Sequence, residues 1–169
     1  MATTAAGTPY VESSDLVANY PGVSLALANH IDGLGKVLQV VQSTTTTAVT
    51  TTSGSYVTTG LTGTITPSST SSKVLIMVHA TFQSAGTGAY IRSTIFRGTV
   101  AGTNLASDNM QGYGNAASVV MGASVQFLDS PNTIAAQTYT YGFKTNGGLS
   151  GLFTVNSSTS TMTLMEISA

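Results

Sequence analysis

From Lys36 onward, apolar residues recur at every second position, the period of a β-strand with one face turned to a core. "KVLQVVQ" (36–42) reads as a first strand, and the β-branched run Thr44 to Thr52 continues it. "SYVTTGLTGTIT" (55–66) predicts another strand or pair, with Gly60 and Gly63 as bends, and "PSSTSS" (67–72) a turn. "KVLIMVHATF" (73–82) is the strongest strand signal in the chain. "AYIRSTIFRGT" (89–99) follows a Gly86/Gly88 turn, and "SVVMGASVQFLD" (118–129) precedes the turn "SPNT". "QTYTYGFKTN" (137–146) alternates cleanly: Tyr139, Tyr141 and Phe143 share one face, and Thr138, Thr140 and Lys144 the other. "NGG" (146–148) is a hairpin-turn signal, and "LFTV" and "TMTLMEIS" end the series. Many short strands between turn residues predict an all-β domain, an antiparallel β-sandwich of jelly-roll type.

Before Lys36 the pattern differs. Residues 1–12 read as an extended arm. After Pro21, the apolar positions Val23, Leu27, Ile31 and Leu34 step by four, four and three, which is helical spacing, closed by Gly33 or Gly35. A helix of about three turns is marginal alone in water. It must pack on its own domain, on copies of itself or on another protein, and the β-domain is expected to run from residue 36 to residue 169.

Several strands are apolar on both faces. In the 73–82 strand, Val74, Ile76, Val78 and Phe82 oppose Leu75 and Met77; in the last strand, Met165 and Ile167 oppose Met162 and Leu164. A free-standing sandwich exposes one face of each sheet and makes it polar. A second apolar face predicts a second cover; burial between subunits is the simplest one, and a long loop over a central strand is the alternative.

Composition agrees. Only 7% of the 169 residues are charged and the formal net charge is −1, against roughly 25% charged in typical domains. Gln39 to Ser72 holds no charged residue. Hydroxyls replace charges, as suits a chain that buries much surface in an oligomer. There is no basic excess to neutralise phosphates and no apolar run of the roughly 18 residues that a membrane span needs. Nucleic-acid binding and membrane insertion are not expected. With no cysteine, thiolate metal sites and thiol catalysis are excluded. The first residues show no secretory signal pattern, so an extracellular role is expected to use an exit other than a standard signal peptide, of which lysis is one.

Candidate chemistry is sparse. His30 and His79 stand apart in the sequence, and the six acidic residues form no close pair. "GLGK" (33–36) lacks the spacing and the hydroxyl residue of a phosphate loop. No nucleophile elbow or zinc-protease motif occurs. No enzyme activity, cofactor or metal is expected. Asp129, in "LDSPN", fits turn initiation. The longest polar, glycine-rich loop, "SDNMQGYGNAAS" (107–118), carries Asp108, Asn109, Gln111, Tyr113 and Asn115. An aromatic ring beside amides and a carboxylate suits neutral sugars, which makes these the candidate binding residues; a plain connecting loop is the alternative reading.

Three segments carry a family resemblance: "GTPYVESSDLVANYPGVSLALANHIDGL" (7–34), "GKVLQVVQSTTTT" with "TITPSSTSSKVLIMV", and "STIFRGT" with "DSPNTIAAQTYTYGFKTN" and "TLMEIS". In this order they resemble bacteriophage tail-fibre or receptor-binding proteins of marine and cyanobacterial phages. The resemblance implies a homotrimeric β-sandwich on a virion tail, docked through residues 1–35 on a tail hub, baseplate or adaptor and presented to a host-surface glycan or receptor. The chain carries no long shaft, which keeps a second expectation open: a capsid decoration (cement) protein clamping the phage head with its N-terminal arm.

Overall fold

A computed structural model of the chain describes residues 35–114 and 118–168, together with residues 2, 3, 9, 10, 22, 24 and 25. The strands are β1 (Ala2–Thr3), β2 (Pro9–Tyr10), β3 (Val37–Thr45), β4 (Val49–Thr51), β5 (Val57–Ile65), β6 (Lys73–Ala85), β7 (Tyr90–Arg97), β8 (Thr103–Asn104), β9 (Asn109–Tyr113), β10 (Ser118–Asp129), β11 (Gln137–Thr145), β12 (Ser150–Phe153) and β13 (Ser160–Ile167). A 3₁₀ turn spans Val155–Ser157. β1 and β2 pair antiparallel with each other. The predicted helix positions Val23, Leu27, Ile31 and Leu34 lie outside the described residues; Gly22, Ser24 and Leu25 have helical backbone.

Two antiparallel sheets build the head. The first runs β3-β13-β6-β12-β4, with β10 on the other edge of β6; the second runs β5-β11-β7-β8, with β9 beside β8 on the same edge of β7. β6 is long enough, at 13 residues, to pair with β13 through its first half and with β12 through its second. Taking the principal strands β3, β5, β6, β7, β9, β10, β11 and β13 in chain order, the first sheet reads first-eighth-third-sixth and the second second-seventh-fourth-fifth. That is the strand order of a jelly roll, as the alternation predicts.

The core lies between the sheets. Inward positions of β6 (Val74, Ile76, Val78, Phe82) meet those of β11 (Tyr139, Tyr141, Phe143) and β13 (Met162, Leu164), all buried. Phe82 centres an aromatic cluster, 5.5 Å from both Phe143 and Phe153 and 6.1 Å from Tyr141 between ring centroids. Buried phenols need partners: Tyr141 donates to Ser93 Oγ (2.7 Å) and Tyr139 to Asp129 Oδ2 (2.7 Å).

Four local expectations are corrected. "NGG" makes no hairpin. Gly147 and Gly148 both take positive φ (77° and 80°), and the chain there crosses from β11 in the second sheet to β12 in the first. The 107–118 segment is no simple loop, because Asn109–Tyr113 pairs with β7 as β9. Gly60 marks a bulge: Thr58 and Thr62 flank it opposite Gly142 and Thr140, whereas Gly63 stays in register with Tyr139. Asp129 does more than start a turn. It is buried, accepts hydrogen bonds from Arg97 Nε (2.9 Å), Arg97 Nη2 and Tyr139, and so ties the end of β10 to the second sheet.

The head has two poles. At the terminal pole, Lys36 and Ser168 bond to each other through Lys36 N to Ser168 Oγ (2.8 Å) and Ser168 N to Lys36 O (2.8 Å), close to the 66–72 turn. At the distal pole, the connections around Thr52, Gly88, Gly114 and Asn146 bond to one another. Nine-residue strands such as β3 separate the poles by ~30 Å.

Candidate functional site

The outer face of the second sheet, near the distal pole, gathers Arg92, Asp108 and Lys144 with Tyr56, Tyr90 and Tyr113. Strand alternation sends Tyr90, Arg92, Thr94 and Phe96 outward from β7 while Ile91, Ser93 and Ile95 enter the core. On β11 the outward set includes Gly142 and Lys144, and register places Lys144 opposite Arg92 and Gly142 opposite Thr94. β9 completes the row, with Met110 opposite Arg92 and Tyr113 opposite Tyr90.

Asp108 organises this surface. It accepts hydrogen bonds from Tyr56 Oη and from Arg92 Nη1 (2.9 Å), and an ion pair with Lys144 Nζ (3.3 Å) completes the set. Partial burial acts to raise the Asp108 carboxyl, but the bonds from Tyr56 and Lys144 and the charges of Lys144 and Arg92 outweigh it and hold it below the usual range. The Tyr56 hydroxyl is pushed up, first by burial and then by its bond to Asp108. Lys144 Nζ lies 4.6 Å from the Tyr56 ring centroid, and Arg92 Cζ lies 5.1 Å from that of Tyr90, both cation–π arrangements. Tyr56 also meets Phe96 edge-on at 5.2 Å.

Phe96 can lie across β11 because residue 142 is glycine. A Cβ there would stand 2.8 Å from Phe96 Cε2 and 3.1 Å from Val100 Cγ1. Beside this ring, Thr58, Thr62, Thr99, Val100 and Thr140 line a shallow groove of about 240 Å³. The Thr140 hydroxyl is spent on Gly98 O (2.6 Å).

The arrangement offers aromatic faces, two cations and a carboxylate already engaged by three donors. Tyr113 and Met110 are each 59% exposed, so they stand open to solvent, while Asp108 sets the positions of the groups around it. Among the other sequence candidates, Asn109 Nδ2 donates to Ala106 O (2.6 Å) and Gln111 Nε2 to Asn109 O (3.4 Å), bracing the 105–111 segment. Asn115 lies outside the described residues. Sequence reading missed Tyr56, Tyr90, Arg92, Met110 and Lys144 as members; for Tyr90 and Arg92, strand alternation in "YIRSTIF" carried the signal. Among the described residues no group of three or more His, Asp and Glu side chains could hold a metal ion.

Neither a protein-family model nor a curated protein matches the chain. Among solved structures, the chain is similar to the infectious bursal disease virus VP2 subviral particle: 10% identity, TM-score 0.43, over 78% of this chain and 40% of that one. It is also similar to the Gt strain structure of that virus (11%, TM-score 0.42, 79% and 39%) and to its T13 particle (12%, TM-score 0.44, 79% and 36%). The chain thus spans about 40% of the length of these neighbours.

Proposed function

We propose that this chain is a structural protein of a bacteriophage particle, a short homotrimeric tail fibre or receptor-binding protein that adheres to a glycan on the host surface. Residues 1–35 dock it on a tail hub, baseplate or adaptor, and the jelly-roll head presents its distal pole outward. The observation that carries this reading is the separation of roles along the head. The chain enters the fold at one pole, where Lys36 meets Ser168, and the tyrosine and cation surface of Tyr56, Tyr90, Arg92, Tyr113 and Lys144 lies toward the other. Tyrosine rings stack on sugar faces, and Arg92 and Lys144 supply hydrogen-bond donors to ring substituents. Weak single sites gain ~10²–10⁴ in avidity when several heads on one particle engage together.

Immunogold labelling of intact particles tests the location. Label at the tail tip or baseplate is the expected result; label spread over the capsid overturns it in favour of a decoration protein. Binding of the purified protein to host surface polysaccharide tests the site. Tyr113→Ala and Arg92→Gln should each weaken binding by ~10-fold, the cost of losing one contact that matters in an interface, with the melting temperature little changed.

A further inference from the structure

The outer face of the first sheet is apolar toward the terminal pole, and the register shows how its side chains line up. Val40, Met165, Leu75 and Leu128 are direct neighbours across β3, β13, β6 and β10, forming one transverse row. Ile167 adjoins this row, with Val37, which is 54% exposed, opposite it. Val40 and Leu128, at the row's two ends, are 56% and 49% exposed. One step toward the distal pole comes a mixed row, Gln42, Thr163, Met77 and Gln126; the next is polar, Thr44, Thr161, His79 and Ser124. No carboxylate stands on these rows, and Lys73, beside Ile167, is the cation at their rim.

We propose that this face is the surface through which copies of the chain pack on one another, around a rotation axis running along the strands. The proposal rests on the homotrimer in the reading above and is independent of adhesion and of tail location. Three observations select a second copy as the occupant. First, the apolar, mixed and polar rows carry no charge pattern for a charged partner to complement, and the one cation beside them, Lys73, stands at their rim. Second, the rows are graded from apolar to polar along the strands. With the axis along the strands, copies bring apolar row to apolar row and polar to polar. An antiparallel pairing that overlaps all three rows would set Val40, Met165, Leu75 and Leu128 against Thr44, Thr161, His79 and Ser124. Third, the chain enters the fold beside this row: a Cβ on Gly35 would lie 3.9 Å from Ile167 Cγ2. Every copy therefore enters its head at one level near the axis.

The test is the mass of the full chain in solution, by light scattering after size exclusion at ~50 µM. The wild type is expected at three times 17.1 kDa. Val40→Lys and Leu128→Lys, both exposed in the single chain, should run at the single-chain mass with an unchanged far-ultraviolet circular dichroism spectrum, their dissociation constant raised by ~100-fold or more. Thr64→Lys, on the outer face of the second sheet, should stay trimeric. Because the chain lacks cysteine, Val40→Cys gives a second readout: a short bismaleimide should join copies through residue 40, and through Thr64→Cys it should not. A trimer that survives both lysine variants and escapes cross-linking overturns the interface and leaves the trimer standing. A wild type at 17.1 kDa overturns both.

Discussion

Glu166 is a fully buried carboxylate whose partners are all neutral. Oε1 accepts from Ser68 N (2.7 Å) and Ser68 Oγ (2.6 Å), and Oε2 accepts from Gln39 Nε2 (2.6 Å). Burial acts to raise its pKa, but these bonds and one from Ser72 outweigh it and bring it from 4.5 down to about 2. A carboxylate depressed in the folded state stabilises the fold fully above its unfolded pKa and loses that contribution as pH falls toward the folded value. The window is therefore between roughly pH 4.5 and pH 2, and the amount at stake is about 1–3 kcal/mol. Glu166→Gln should lower the melting temperature at pH 7, and its deficit against wild type should shrink as pH falls through that window. Scanning calorimetry at pH 7 and at the acid limit checks it; a deficit independent of pH would mean that the charge plays no part. The inward direction of Glu166 was readable, since alternation sets it in phase with Met162 and Leu164. Its partners were not, because Ser68 is 98 residues away and sequence spacing says nothing of such a meeting.

At the scale of elements, β11 shows both what pattern delivers and where it stops. Its alternation correctly separates Tyr139, Tyr141 and Phe143 from Thr138, Thr140 and Lys144. The glycine between Tyr141 and Phe143 carries no pattern, yet it decides how the outer face is covered, because Phe96 and Val100 occupy the space a side chain would need. Gly142→Val should displace Phe96 and with it Tyr56, costing about 1–3 kcal/mol as overpacking does. The near-ultraviolet circular dichroism of the tyrosines would change, and polysaccharide binding would fall with it. Unchanged spectra would show that Phe96 has room to move aside. β9 illustrates the opposite difficulty. Polar residues and glycines in "NMQGY" spell a loop, and only pairing with β7 makes it a strand. Strand propensity depends on such context. Asp129 was visible as a turn residue, whereas Arg97 and Tyr139, its partners, come from other strands.

Across the whole molecule, the sheets share one core. Phe82, from the first sheet, touches Tyr141 and Phe143 from the second and Phe153 from its own. Unfolding should therefore be one cooperative transition. Phe82→Ala is expected to remove about 3–5 kcal/mol from both sheets together. Urea denaturation checks this, followed by circular dichroism and by tyrosine fluorescence, which is unobscured because the chain has no tryptophan. Coincident curves with a lowered midpoint are expected; separated curves would mean that the sheets unfold apart.

The pairing of β3 with β13 has a mechanical consequence. β3 is an edge strand that carries the chain into the fold, and its ladder to β13 runs from Val37 to Thr45. If a particle holds the chain through the residues before 36 while a surface grips the distal pole, drag pulls β3 along its own length. Ladder hydrogen bonds lie across the strand, so they take this load together, in shear, and do not open one at a time like a zipper. The head is thus built to hold hardest along the line joining its two poles, and a force peeling β3 sideways from its Thr45 end would open it far more easily.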